Sequence, residues 1–492
     1  METQISFEKI KLLFFSIGTI LITYGFGLTN YSLSIDSETP VYPDFSMGLG
    51  RWGTNLVRYH IFEGHTPYFT LLLGLLLMSL TAIELTKLFK LSTFKCYLFC
   101  ALFLTIPQLS YQLIFTMQAD VVPLGFLISV LSINLFSESS KDIFSGKSII
   151  YFILSALMLM FVIALYQALI LISVVIFLVL VFQNTYSTEF SYKNEIKKTV
   201  LFGLLLIISG LLYYISVKII CPSGQGGFLS TYASGNSDNR LKDFYSLWFN
   251  HLKGKLYYGN KTTIFLSLIS IFGVIIIIKG KKHIALKLIL LFLLLLIPYS
   301  LSFFITNGYH PPRLYVGLGI VFAFLSTHFL DVIKYKKIIL VICSIICVWN
   351  IYFITQLFYS NYKIFNHDKA IAKRIDTEIR TQYPEFDVTT NYVYFYGCLP
   401  YQEHDRFRLP DSEVFGGSLF SWDNGNNYRI INFFSFNDIA YYRMIDSKET
   451  YLKIKDSIES MPVWPAKQSV KLVDKVVIVK LGSEKGSPLP VE

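Results

Sequence analysis

The sequence predicts a polytopic α-helical membrane protein of about eleven transmembrane helices, followed by a small α/β domain. Three observations predict it. Hydrophobic residues make up 53% of the 492 and charged residues only 15%, with a mean hydropathy of +0.51. Apolar runs of about 18 residues or more recur from the N-terminus to near residue 358. Beyond residue 361 the runs shorten and alternate differently. A soluble core of this chain length could not hide so many long apolar segments.

The spans fall near 10–29, 67–86, 95–115, 120–137, 149–166, 168–184, 199–220, 262–279, 284–306, 313–331 and 337–358. The stretch 149–184 is divided at a tight turn, Tyr166-Gln167, because its 36 residues as one helix would reach about 54 Å against a hydrocarbon core of about 30 Å. No small-residue cleavage site follows the first segment, which therefore reads as a retained span and not as a signal peptide.

Lysines set the orientation. Lys9 and Lys11, Lys87 to Lys95, Lys141 and Lys147, Lys193 to Lys198, Lys279 to Lys282, and Lys334 to Lys337 mark alternate loops, which the positive-inside rule assigns to the cytoplasm together with the N-terminus. Loops 30–66, 221–261 and 307–312 and everything after 360 then lie on the far side, which in a bacterium is the periplasmic side of the inner membrane. The net charge of +10 does not point to nucleic acid. Residues 1–360 hold 26 Lys+Arg against 15 Asp+Glu and residues 361–492 hold 17 against 18, so the excess belongs to membrane-edge loops facing lipid headgroups.

Residues 1–360 are thus read as a membrane domain and 361–492 as a separate α/β body. N-H-D-K-A-I-A-K-R-I-D-T-E-I-R has helical spacing, whereas N-Y-V-Y-F-Y-G and V-K-L-V-D-K-V-V-I-V-K-L read as strands. The tail G-S-E-K-G-S-P-L-P-V-E is expected to fray. Cys96, Cys100, Cys343 and Cys347 lie in or beside spans and read as small buried hydrophobes. Cys221 and Cys398 both fall on the far side, where a disulfide between them is chemically allowed. No cysteine or histidine spacing resembles a metal site, and no cofactor is implied.

The motifs of soluble enzymes are absent: there is no P-loop, dinucleotide fingerprint, nucleophile elbow or H-E-x-x-H. Chemistry must therefore come from far-side loops. Asp36 and Glu38 follow the first span, and ionisable groups at the mouth of a membrane helix mark sites. Two residues apart in an extended segment, they would point the same way. One could take the proton of a sugar hydroxyl while the other orients the acceptor or holds a divalent cation. Asp36, nearer the helix end and therefore expected to be the better fixed, is narrowly favoured over Glu38 as the base. Asp44 reads as a solvated loop acid, and Asp120 as either a third acid or a charge at a helix N-terminus.

Cationic candidates surround these acids in the sequence. Arg51 opens G-R-W-G-T-N-L-V-R-Y-H-I-F, where Trp52, Leu56, Tyr59 and Ile61 or Phe62 form the apolar stripe of a surface helix; an arginine there can bind a phosphate or anchor at the interface. Arg240, Lys242, Lys253, Lys255 and Lys261 outnumber the acids on the side where lysines are scarce, and Leu241, Tyr245, Trp248 and Leu252 share one helical face. In N-G-Y-H-P-P-R the prolines stiffen a short loop and put His310 and Arg313 at a helix start, at headgroup level.

Taken together, the acid pair, the G-R-W-G helix, M-Q-A-D before the fourth span, A-L-Y-Q-A with Tyr166 and Gln167, and the closing M-P-V-W-P-A-K-Q-S-V-K-L-V-D-K-V-V-I-V-K-L resemble the Gtr-type, serotype-converting O-antigen glucosyltransferases. The resemblance implies an inner-membrane enzyme of GT-C architecture that moves glucose from undecaprenyl-phosphate glucose to a sugar of the O-antigen polysaccharide in the periplasm. It also implies two companion proteins, a donor synthase and a donor flippase. In this chain Ser37 stands between the two acids. Two other classes fit less well. A polysaccharide or lipid transporter would carry charges deep in its spans, whereas Glu84 and Asp331 lie near span ends. Another polyprenyl-phosphate-dependent transferase or an O-antigen polymerase would share the acids and differ in its acceptor.

Overall fold

The structure is a computed structural model that describes residues 2–38, 43–62, 66–141, 145–221, 240–305, 310–399 and 407–489, without the side chains of residues 2–7 and 43–45. The side chain of Asp44, loop residues 307–309 and the glycine-rich stretch 222–239 lie outside the described residues. The chain is a polytopic helical membrane protein with a small sheet toward its C-terminal end.

All eleven expected segments are helical, but they are not eleven equal spans. Among the described residues nine helices are long and apolar enough to cross a membrane. The third expected span is broken: Thr93–Leu104 and Pro107–Leu113 meet at a 45° bend. Pro107 cannot donate a backbone hydrogen bond and disfavours helical geometry in the residue before it. The tenth, expected over 313–331, is helical only over Leu318–Leu330. Its 13 residues reach about 20 Å. Pro311 and Pro312 hold the preceding backbone extended and then in a 3-10 turn, Pro312–Leu314. The last helix runs unbroken from Lys336 to Gln382, 47 residues without Gly or Pro, so the helical pattern after residue 361 continues the last span.

The chain separates into two compact units. The first comprises Met1–Thr29 and Val41–Thr355, and the second Asn30–Pro40 and Gln356–Glu492. The second unit thus begins its C-terminal part at Gln356, within the last helix, and takes in Asn30–Pro40 from the start of the loop after the first span. In the first unit small residues permit close approach: a Cβ at Gly53 would lie 3.0 Å from the backbone of Ala164 and Leu165. In the second unit a four-stranded sheet has the order β2-β1-β4-β3, with β1 Tyr392–Tyr396, β2 Arg443–Met444, β3 Val470–Val473 and β4 Val476–Lys480. β1 is parallel to β2 and β4, and β3 and β4 form an antiparallel hairpin. The hairpin turns at Asp474, with φ of 52° in the left-handed region. Helix Lys448–Glu459 buries Tyr451, Ile454 and Ile458 against Val476 and Ile478.

All six cysteines are free, so Cys221 and Cys398 are not bridged.

Candidate functional site

The acid pair sits in the second unit, and the structure supplies what the sequence did not show: an arginine that gathers it. The segment is not extended, as expected, but turns. Ser37 N–H donates to Ser34 O at 3.0 Å, and Asp36 adopts φ of 71°. Asp36 and Glu38 nevertheless converge, because both reach Arg429. Arg429 Nη2 donates to Asp36 Oδ1 at 2.8 Å, Nη1 donates to Glu38 Oε1, and Nε donates to Asp423 Oδ2 at 2.6 Å. One guanidinium thus holds three carboxylates by three different nitrogens, a use that suits its planar fork.

Arg429 is held in place from below. Asn426 caps helix Asn427–Phe436 by accepting from Tyr428 N–H and Arg429 N–H. Asn427 then closes the gap left where the short β2 stops pairing with β1: Phe395 N–H donates to Asn427 Oδ1 and Asn427 Nδ2 donates to Phe395 O, both at 2.7 Å. Asp423 lies in a 3-10 turn, Trp422–Asn424, where Asp423, Asn424 and Gly425 all have positive φ. Beside it the half-buried Trp422 packs on Gly417, where a Cβ would lie 2.9 Å from the indole and 3.1 Å from Ile35. Arg408 lies 5.6 Å from the Trp422 ring centroid.

The two acids differ in the opposite sense to the sequence expectation. Asp36 is 46% exposed, whereas Glu38 is fully buried and is the better fixed. Glu38 Oε2 is buried without a hydrogen-bond partner among the described residues. Burial pushes the Glu38 carboxyl up to about 7; Arg429 opposes this and Asp36 adds to it. Arg429 stays firmly charged: burial works against its charge, but Glu38, Asp36 and Asp423 outweigh that. Among the described residues no group of three or more His, Cys, Asp or Glu is placed to hold a metal ion.

The first unit brings together three other candidates. Arg51 Nε donates to Gln167 Oε1 at 3.0 Å, and the Arg51 guanidinium lies 4.5 Å from the Tyr166 ring centroid. Gln167 Nε2 in turn donates to Leu49 O and to Tyr213 OH. Tyr166-Gln167 is thus both a turn between spans and the seat of an arginine. The helix after Arg51 is α-helical over Trp52–Asn55 and π-helical over Leu56–Ile61. It turns polar residues inward: Thr54, Asn55 and Arg58 are buried, while Leu56, Ile61 and Phe62 face out. Arg58 Nη2 donates to Asp120 Oδ1, and both side chains are 2% exposed. Asp120 therefore has a structural partner within the first unit.

Arg313 is held by the bent third span. Gln108 Nε2 donates to Pro312 O at 3.0 Å and Gln112 Nε2 to Arg313 O at 2.7 Å, while the Arg313 guanidinium lies 4.8 Å from the Phe115 ring centroid. His310 O accepts from Tyr315 OH at 3.2 Å, and burial lowers the pKa of the His310 imidazole. Lys253 and Lys255 are exposed after helix Arg240–Leu252 and are not ion-paired among the described residues. That helix buries Phe244, Leu247 and His251, and leaves Leu241 and Tyr245 of the expected apolar face exposed.

Sequence reasoning missed Arg429, Asp423 and Arg58. Their signal is slight: an arginine amid apolar helix residues needs a partner, but nothing in the spacing says which.

A family model described as Glucosyl transferase GtrII matches residues 25–327, more than half of the chain. The match takes in Asp36, Glu38, Arg51, Asp120, Gln167 and Arg313 and ends before Arg429. A search of curated proteins returned no match.

Proposed function

This chain belongs to the GtrII glucosyl transferase family, and from that premise we propose that it transfers glucose from undecaprenyl-phosphate glucose to a hydroxyl of an O-antigen sugar on the periplasmic face of the inner membrane. The observation that carries this reading is the Arg429 cluster. It presents two carboxylates of different character, one exposed and one buried with an oxygen to spare.

In the reaction the acceptor O–H loses its proton as its oxygen bonds to the glucose anomeric carbon, and the bond from that carbon to phosphate oxygen breaks, releasing polyprenyl phosphate. Glu38 is the general base, since a carboxylate titrating near neutrality is well matched to taking a hydroxyl proton at working pH. Asp36, exposed beside it, orients the acceptor, and the Trp422 indole offers a flat face to a pyranose ring. Arg51 and Arg313 are the candidates for the donor phosphate, where a fixed guanidinium stabilises charge developing on the leaving group. A companion synthase and flippase supply the donor, and GT-C architecture suits a substrate whose lipid stays in the bilayer.

The test is glycan analysis of cells expressing Glu38→Gln or Asp36→Asn at matched membrane levels. Loss of the base is expected to cost about 10²–10⁴-fold in rate, so Glu38→Gln should abolish detectable glucosylation. Asp36→Asn should reduce it less. Full modification by Glu38→Gln would remove Glu38 from the chemistry.

A further inference from the structure

We propose that Arg429 is a positioning residue for the base, aiming the Glu38 carboxylate and setting the pH at which it ionises, with Asp423 competing for the same guanidinium. This rests on the reading of Glu38 as the base, and it adds a residue that lies outside the family match.

Arg429 spends Nη1 on Glu38, Nη2 on Asp36 and Nε on Asp423, one nitrogen for each acid. Glu38 is engaged by the fork through Oε1, and its other oxygen, Oε2, accepts nothing among the described residues. A planar fork tied at three corners cannot rotate, so Glu38 Oε1 is held in place and Oε2 is the oxygen left for a proton. The capped start of helix Asn427–Phe436 and the Asn427 bracket on β1 hold the fork in turn.

The charges around Glu38 give the device its sign. Among the described residues Glu38 is faced by Arg429 from helix Asn427–Phe436 and by Asp36 from its own loop, while Asp423 from the Trp422–Asn424 turn acts on it through Arg429. A cation beside a carboxylate favours ionisation, commonly by about 1–3 pH units when within about 4–6 Å. Removing the arginine therefore moves ionisation to higher pH. Removing the Asp423 charge leaves more of the cation's field to Glu38 and moves ionisation to lower pH. A residue that served only to hold the fold would move it neither way.

The experiment measures glucosyl transfer against pH in membranes containing the full chain, for the parent, Arg429→Ala, Arg429→Lys and Asp423→Asn. Thermal unfolding of each detergent-solubilised variant serves as the control for folding. The parent should show a rate rising through about pH 7. Arg429→Ala should shift that rise alkaline by about one unit or more. Arg429→Lys keeps the charge and loses the fork, so its rise should stay near the parent's while its rate falls at every pH. Asp423→Asn should shift the rise toward acid. If Arg429→Ala lowers the rate equally at all pH and leaves the rise in place, or leaves both unchanged, the positioning role is overturned while Glu38 stands. A parent with no rise together with an active Glu38→Gln overturns the base assignment and the positioning role at once.

Discussion

Substitution of Asp120 distinguishes a structural acid from a chemical one. Asp120 and Arg58 form a pair with both side chains 2% exposed, and Arg58 Nη2 also donates to Met117 O at 3.4 Å. Breaking such a pair by removing one partner strands a charge in a medium that solvates it poorly, at a cost of about 3–5 kcal/mol. The two single substitutions are not equivalent. Asp120→Asn takes the carboxylate from a buried guanidinium that cannot give up its proton, so it should suffer the larger loss, whereas in Arg58→Leu the remaining acid can neutralise itself by binding a proton. Replacing both, as Arg58→Leu with Asp120→Leu, removes both charges, and such swaps are often neutral or stabilising by about 1–4 kcal/mol. Stability is read from thermal unfolding of the detergent-solubilised chain by size-exclusion profile, and transfer from glucosylation at matched membrane levels. Asp120→Asn should be the least stable of the four proteins, and the double variant should recover both stability and transfer. A double variant as stable as the parent but inactive would refute the structural assignment and return Asp120 to the list of chemical acids.

Two further outcomes follow from the same geometry. Because only the ionised Glu38 can accept a proton and its carboxyl titrates at about 7, transfer by the parent should rise about tenfold between about pH 6 and about pH 8, where an ordinary glutamate would give a flat profile. Arg313→Ala should weaken binding of the polyprenyl-phosphate donor and slow turnover as well, since a group that contacts the leaving phosphate acts in both ground and transition states; unchanged donor affinity with unchanged turnover would move the phosphate site to Arg51 or to the lysines after helix Arg240–Leu252.

The membrane helices were legible in the sequence because a bilayer judges each segment separately: a span must satisfy its own backbone and match the hydrocarbon thickness, and both conditions are written locally. The Tyr166-Gln167 division falls where the limit on span length put it, and the strands at Tyr392–Tyr396 and Val476–Lys480 fall where the local pattern put them. The two segments that are not single regular helices, at Pro107 and after Pro312, depart where a proline interrupts an apolar run. Asp36 and Glu38 could be named because they are near neighbours after a span, but their company could not. Arg429 lies 391 residues from Glu38, Asp120 lies 62 from Arg58, and Arg51 lies 116 from Gln167. Hydrophobic period is set over a few residues, whereas the partner of a charge is whichever opposite charge the fold brings within about 4 Å. Composition and spacing by themselves determined that this is a multi-pass helical protein with acids beside its first span. Only the tertiary structure decided that Glu38 is buried and Asp36 exposed, that one arginine holds both, and that Asp120 is spoken for by Arg58.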